Sequence, residues 1–522
     1  MNGLLSLLVA VPALGALVLA AWPARQADEK APVIGVVVTA VALVLSLAAA
    51  PAVVGTSAMQ LEVDVAWIAP LDVRWHLGVD GISLPLVVLT TLLTLLCMVS
   101  LLRGGGPQCG GERALVAVVL LMETGVLGTF LALDLILFFV FFELVLVPMW
   151  FVIAGWGDQH DPAGRRRAAT TFLLLTVVGS AVMLAGFLLV YAYAGTFDVV
   201  TLAAAGGTDL PAATQLVAAL AIGLGFAVKS PMWPLHIWLP DAHAKAPTIG
   251  SVLLAGVLLK MGTYGFVRIW LPVVPEGAHA VAPFLAVLGA VGIVYGSLAC
   301  LAQTDLKRLV AYSSVGHMGF VLLGIATLTP VGVNGALVAN IAHGLITGLL
   351  FFLVGALKDR RDTSDLVGLG RGLYARSPRM AAVLALAAMA SLGLPGLAGF
   401  WGEMLTLLAA FDPAAGLPRT TYLVCMVLGG VGAVITAVYF VKVLRLVCQG
   451  EPSQAVPPTG PAEATPGAVT GQLTAVRTEE ATSLELGVWA PLVVLTVLVG
   501  VVPGLVLDVV DPAVRALLGG GA

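Results

Sequence analysis

Across 522 residues, hydrophobic side chains make up 60% of the chain and charged ones only 10%, and the mean hydropathy is +1.05. A soluble domain carries about 25% charged residues, so this composition excludes an array of soluble domains and defines a polytopic membrane protein. The 25 Lys+Arg and 29 Asp+Glu leave a net charge of −4, which excludes a basic nucleic-acid binder. Cys97, Cys109, Cys300, Cys425 and Cys448 are scattered, with neither a C-x-x-C pair nor a His/Cys cluster. That spacing speaks against a disulfide framework, structural zinc or an iron–sulfur centre.

A hydrocarbon core of about 30 Å takes roughly 20 apolar residues per helix. On that measure about fourteen spans follow one another, the first seven near Leu4–Ala21, Val33–Val54, Ile82–Leu102, Ala114–Leu133, Leu135–Gly155, Ala168–Ala194 and Pro211–Leu239. The other seven lie near Thr248–Leu271, Val281–Ala302, Leu309–Leu328, Val331–Leu357, Met380–Phe411, Tyr422–Val447 and Val488–Leu507. The first 24 residues hold no Lys or Arg, so the first span reads as a retained helix and not as a signal peptide. Gly55 to Asp80 reads as an acidic loop with Trp67 and Trp75, an interfacial plug. Residues 449–484, rich in Pro, Thr, Gly and Ala, read as a flexible linker. The triple glycine 104–106 is turn material.

With alternating spans, 19 Lys and Arg fall on one side and 4, Arg268 among them, on the other, leaving Lys229 and Lys260 within the membrane. The positive-inside rule then places both termini outside the cell.

Ionisable side chains at membrane depth are costly and mark function. Five lie deep within spans: Glu123 in the fourth, Glu143 in the fifth, Lys229 in the seventh, Lys260 in the eighth and Glu403 in the twelfth. One or two would be read as helix glue; five of both signs point to ion handling. Lys229 is followed by Pro231 and Pro234, Glu143 by Pro148, and Glu403 is preceded by Pro395 within a run of glycines. Proline removes a ladder hydrogen bond, and broken backbone at this depth survives only inside protein or along a wet cavity. The two strongest breaks are five spans apart. An odd offset reverses direction, so the expectation is two inverted five-helix repeats, residues 114–279 and 280–447, after an N-terminal unit 1–113 and before a linker 448–487 and a last helix 488–522. His236, His317 and His343 extend the polar line as proton carriers or as packing groups. His236 and His243 lack a third ligand for a metal site.

Several stretches resemble a known family. They are Gly78-Val-Asp-Gly-Ile-Ser83, Lys229-Ser-Pro231, Leu235-His-Ile-Trp-Leu-Pro-Asp-Ala-His243 and the run from Ala246 through Lys260 to Tyr264. Gln303-Thr-Asp-Leu-Lys-Arg308, Ala311–Phe320 and Asn340-Ile-Ala-His343 complete the set. From about Asp80 to Tyr439 the chain is similar to the antiporter-like subunits of respiratory complex I, and Glu403, where paralogues carry lysine, points to the M (chain 4) branch. The resemblance implies a proton-translocating subunit without a redox centre or other cofactor, working in a bacterial plasma membrane beside paralogous subunits, lipid and internal water. It casts Glu143, Lys229, Lys260 and Glu403 as the proton path, with Glu143 near Lys229. Lys245 departs from the acidic or neutral residue expected at its position. The rival reading is a subunit of a multi-component cation/proton antiporter, and a third is a purely structural scaffold.

Overall fold

In this computed structural model the described residues are 3–22, 28–102, 111–451 and 480–519, and among them thirteen helices are long and apolar enough to cross a membrane. Two shorter apolar helices make a fourteenth crossing. In chain order the helices are α1 (Leu4–Ala21), α2 (Ala31–Val53), α3 (Leu84–Leu101), α4 (Glu112–Leu131), α5 (Leu135–Trp156), α6 (Pro162–Ala194) and α7a (Ala212–Lys229). A second half of α7, here α7b, combines a 3-10 turn Leu235–Trp238 with the helix Leu239–Lys245. Then come α8 (Thr248–Val273), α9 (Pro275–Ala302), α10 (Leu306–Ala326), α11 (Pro330–Arg361), α12a (Pro378–Ser391), α12b (Ala398–Phe411), α13 (Arg419–Val447) and α14 (Ser483–Val501). The linker expectation falls mainly on residues 452–479, and Cys109 and the triple glycine also lie outside the described residues.

The breaks occur where proline and glycine placed them. α7 opens between Lys229 and Leu235, and α12 opens between Ser391 and Ala398, where Gly393 and Gly396 take positive φ. α5 is interrupted at Val145, three residues before Pro148. Protein encloses both breaks: Trp238 Nε1 donates to the freed Val228 O at 3.1 Å, and α14 packs its Gly500 against Gly396 and Leu397 and accepts at Gly500 O from Trp401 Nε1 at 2.8 Å. α8, α10 and α11 are enclosed almost throughout, whereas α2 and α13 present apolar residues such as Val44 and Val434 outward.

Two matching junctions show the inverted repeat. At the α4–α5 turn, Leu135 N donates to Phe197 O and Val199 N to Leu133 O, and Asp134 caps α5. Five helices later, at the α9–α10 turn, Leu306 N donates to Ser364 O and Leu366 N to Thr304 O, and Asp305 caps α10. Each junction forms an antiparallel bridge, Asp134 with Asp198 and Asp305 with Asp365. The partner segments share a pattern, Thr196-Phe-Asp-Val-Val-Thr-Leu202 against Thr363-Ser-Asp-Leu-Val-Gly-Leu369.

Four expectations are corrected. The stretch taken as a loop is a β-hairpin, β1 (Gln60–Ile68) paired antiparallel with β2 (Val73–Val79). Its Trp75 is tied to Ser6 of α1 and Trp67 is exposed. The last span starts earlier, at Ser483, because Thr482 and Glu485 form a capping box, and it ends at Val501. A separate amphipathic helix, α15 (Gly504–Leu517), follows. Arg268, counted with a loop, lies buried in α8, and Lys307 is buried in the first turn of α10, donating to Ala246 O.

The hairpin is clamped to the first repeat through His76. Its Nδ1 lies 2.6 Å from Asp198 and its Nε2 3.2 Å from Glu62, and Asp64, Asp72, Asp134 and Arg74 surround the pair. A neutral imidazole donates from one nitrogen only, so the imidazolium fits this site best. Burial lowers the His76 pKa, but the Asp198 and Glu62 hydrogen bonds outweigh it and raise the pKa above the usual 6.5. Burial raises the Asp198 pKa, yet its bonds to His76 and Thr201 pull it down to about 2. By linkage, the histidine's contribution is complete below its unfolded pKa and fades as pH rises through the raised folded value. The aspartate's is lost only as pH falls toward 2. Once the base catalysis intrinsic to exchange is divided out, the protection of amides across residues 60–79 is therefore expected to fall as pH climbs above neutrality in the native protein. In His76→Gln that step should vanish; an unchanged step would assign it to another group.

Candidate proton-translocation site

The broken ends and α8 bring the buried polar side chains into a row. At its centre Lys260, fully buried in α8, hydrogen-bonds to His343 Nδ1 of α11 at 2.6 Å and also donates to Ala255 O. Its turn, Leu259–Gly265, is flanked by two π-helical turns, Leu254–Leu258 and Phe266–Trp270. Such turns widen the backbone locally and recur at functional sites; here the first one supplies the Ala255 carbonyl. Thr263 donates to Asn340 Oδ1 at 3.1 Å, a second polar link between α8 and α11.

From His343 the row continues to His317 of α10, with ring centroids 5.6 Å apart, and from His317 Nδ1 to Glu403 Oε1 at 3.4 Å. The other His317 nitrogen lies 3.0 Å from the hydroxyl of Ser391, the last residue of α12a. A small cavity opens against His317, His343, Thr347, Ser391, Gly399 and Glu403. Gly393 is needed here twice over: its φ is +73°, and a Cβ would stand 2.7 Å from Glu403 Oε2. Gly402 likewise lets α12b approach α11, since a Cβ would meet Ala339 Cα at 2.6 Å. The broken helix thus carries Ser391 at one end and Glu403 in the first turns of the other.

The first repeat is arranged differently. Lys229 ends α7a, with Nζ 4.7 Å from the Phe142 ring centroid and no hydrogen-bond partner. Glu143, the neighbour of Phe142 on α5, feels the Lys229 charge and the Ser180 hydroxyl of α6, and its Oε1 is unpartnered. The expected Glu143–Lys229 proximity is therefore electrostatic and not a closed ion pair. Ser230, next to Lys229, lies against Gly262 in the turn of Lys260, and its hydroxyl is also unpartnered.

The remaining sequence candidates separate. Glu123 is buried beside Cys97 of α3 with both oxygens unpartnered and does not join the row. His236 packs edge-on against Tyr295 at 5.0 Å and leaves Nδ1 without a partner. Sequence reasoning passed over His243, considered only as a metal ligand. It is fully buried, stacked on Phe351 at 4.6 Å, with both ring nitrogens unpartnered. Its place in the Leu235–His243 motif was the available signal. Lys245 bridges Asp158 and Asp161 at 3.1 and 2.7 Å, which accounts for a lysine at that position.

Two broken helices in opposite orientation, with charged side chains at the breaks, define an antiporter-like membrane protein. Residues 132–436 match the family model described as NADH:quinone oxidoreductase/Mrp antiporter, TM. The chain is 40% identical to NADH-quinone oxidoreductase subunit M of Rhodobacter capsulatus, across 99% of this chain and 97% of that one. It is 39% identical to NAD(P)H-quinone oxidoreductase chain 4 1 of a Picosynechococcus species, across 86% and 82%. Among solved structures, a chain of respiratory complex I from Thermus thermophilus with bound NADH superposes with a TM-score of 0.83 at 29% identity, covering 99% of this chain and all (100%) of that one. A chain of the Mrp complex from a Dietzia species gives 0.84 at 23% identity, covering 99% and 97%, a likeness of fold. The chain belongs to the NADH:quinone oxidoreductase/Mrp antiporter family, and it is an antiporter-like subunit of the complex I type.

Proposed function

We propose that this chain is the M-type proton-translocating subunit of a bacterial NADH:quinone oxidoreductase, a translocase subunit that holds no redox centre. It sits in the plasma membrane with the hairpin side and both termini outward, among paralogous antiporter-like subunits and lipid. The observation that carries the reading is the row Lys260–His343–His317–Glu403, in which Lys260 bonds His343 Nδ1, the two imidazole rings lie 5.6 Å apart and His317 Nδ1 stands 3.4 Å from Glu403 Oε1. Protons enter from the basic, cytoplasmic side and load Lys229, whose charge is tuned by Glu143. They pass by way of Ser230 and water to Lys260, then through the two histidines to Glu403 and outward. The buried polar atoms of Lys229, Ser230, Glu143 and His343 that lack a protein partner are where bridging water supports such transfer. The driving force comes from redox chemistry in other subunits, delivered as a charge or conformational shift. Moving one charge against 100 mV takes about 2.3 kcal/mol, a size that opening or closing one charge pair supplies. The family model covers cation/proton antiporters too, but the relatives at 39–40% identity are quinone oxidoreductase subunits, whereas the Mrp chain is 23% identical and shares the fold.

Lys229→Ala and Glu143→Gln are expected to leave the complex assembled while proton pumping falls severely, with quinone reduction falling alongside under tight coupling. Normal pumping by assembled variants would return both residues to packing roles. Glu403→Gln keeps shape and helix propensity but cannot carry the charge, so pumping should drop strongly, whereas Glu403→Asp should retain part of it. A wild-type proton-to-electron ratio in Glu403→Gln would remove this residue from the path. For orientation, a reporter fused after Gly450 should act as cytoplasmic and one at the C-terminus as external; the reverse pattern would overturn the placement.

A further inference from the structure

We propose that the buried Arg268–Asp80 pair is a latch that positions Lys260, fixing the turn of α8 that carries the lysine and linking it to the seat of the β-hairpin. The inference rests on the proton path above for its functional meaning, but its geometry stands apart from it. Arg268 Nη2 lies 2.5 Å from Asp80 Oδ1, and both side chains are buried. Arg268 Nε donates to Tyr264 Oη at 3.2 Å, and Tyr264 in turn donates to Phe130 O of α4 at 2.8 Å. Lys260, Tyr264 and Arg268 follow one another at intervals of four along α8.

The need for a latch comes from the two π-helical turns. Each adds a residue to one helical turn, and one residue is worth about 100° of rotation about the axis. The segment Leu259–Gly265 between them therefore has looser backbone on both sides, and side chains must hold its register. On its near side the Lys260–His343 and Thr263–Asn340 bonds do so. On its far side, within the second π turn, Trp270 Nε1 donates to Ala219 O at 2.8 Å and Arg268 reaches Asp80. Only the second of these is a charge-assisted bond, the stronger kind. Removing either partner leaves a buried charge alone.

Asp80 is also a junction. It directly follows β2, and its Oδ1 accepts from Ile82 and Ser83 N at 3.0 Å, capping the entrance to α3. Gly81 beside it presses on Val509 O of α15, where a Cβ would stand 2.0 Å away. A shift of the hairpin or of α15 therefore reaches Asp80 first, then Arg268, and then the register of Lys260. Arg268 and Asp80 are positioning residues, since neither touches the row of proton carriers.

The test compares Arg268→Gln, Asp80→Asn, the double variant and Arg268→Lys in the assembled complex. It reads the proton-to-electron ratio per complex and, by electron microscopy, the Lys260–His343 separation. The single neutralisations should lower the ratio several-fold and take Lys260 Nζ out of hydrogen-bond reach of His343. The double variant, whose amides can bond each other, should recover part of both. A retained Lys260–His343 contact in either single variant overturns the proposal whatever the pumping shows. Pumping by Lys229→Ala would instead strike the proton path and leave this geometry untouched. Should the neutral singles fail to assemble, Arg268→Lys decides: it keeps the charge but not the two-pronged contact to Asp80 and Tyr264. A normal ratio with an unmoved Lys260 then overturns the latch, and a lowered ratio with a displaced Lys260 supports it.

Discussion

The bond between Lys260 and His343 joins the two halves of the molecule, because α8 closes the first five-helix repeat and α11 lies within the second. An amine in this position has no bulk water to solvate it, so its hydrogen-bond partners decide where it can stand. One partner is a carbonyl freed by a π turn and the other is an imidazole that can also take a proton. The same bond that holds the lysine thus leads to the next titratable group of the row. Around it, the helices that support these two groups are the most enclosed in the bundle, while the outer helices carry the apolar surface.

The two halves use a broken helix in different ways. In α7 the charge precedes the break, so Lys229 lies at the last turn of a helix, whose C-terminal carbonyls favour a cation. In α12 the acid follows the break, and Glu403 stands in the second turn of α12b, past its free amides, with His317 as its neighbour. The lysine is thus placed by a helix end, and the glutamate by its contact across to α10.

Much of this was legible in the sequence because proline, glycine and buried charge act locally. Pro231, Pro234 and Pro395 sit on their breaks, and Lys260, His317, His343 and Glu403 converge as residue type and depth implied. What escaped depends on partners far away in the chain. Arg268 looks like a loop cation until Asp80, 188 residues earlier, is seen against it. The hairpin escaped for another reason: Leu61-Glu-Val-Asp-Val65 and Val73-Arg-Trp-His-Leu77 both alternate apolar with polar residues, as strands do, but the acidity and the two tryptophans drew the reading of a loop. α15 was merged with α14 because its first residues, Gly504-Leu-Val-Leu507, are apolar and only Val502-Pro503 divides the two helices. The Thr-x-Asp pattern that marks both junctions was readable, but it concerns caps and bridges, whereas the repeat was sought in the charged residues.

That pattern bears on ancestry. Hydrogen bonds of a capped junction are indifferent to which face of the membrane they occupy, and the Asp134 and Asp305 bridges work equally well on opposite faces. Lysine and arginine are not indifferent, since they set insertion direction. If the halves descend from one duplicated unit, that unit had to insert both ways round, so its loops must have carried little basic bias. On that history the caps are the older layer of this sequence, and its lopsided distribution of Lys and Arg was acquired later, once each copy had settled into one orientation.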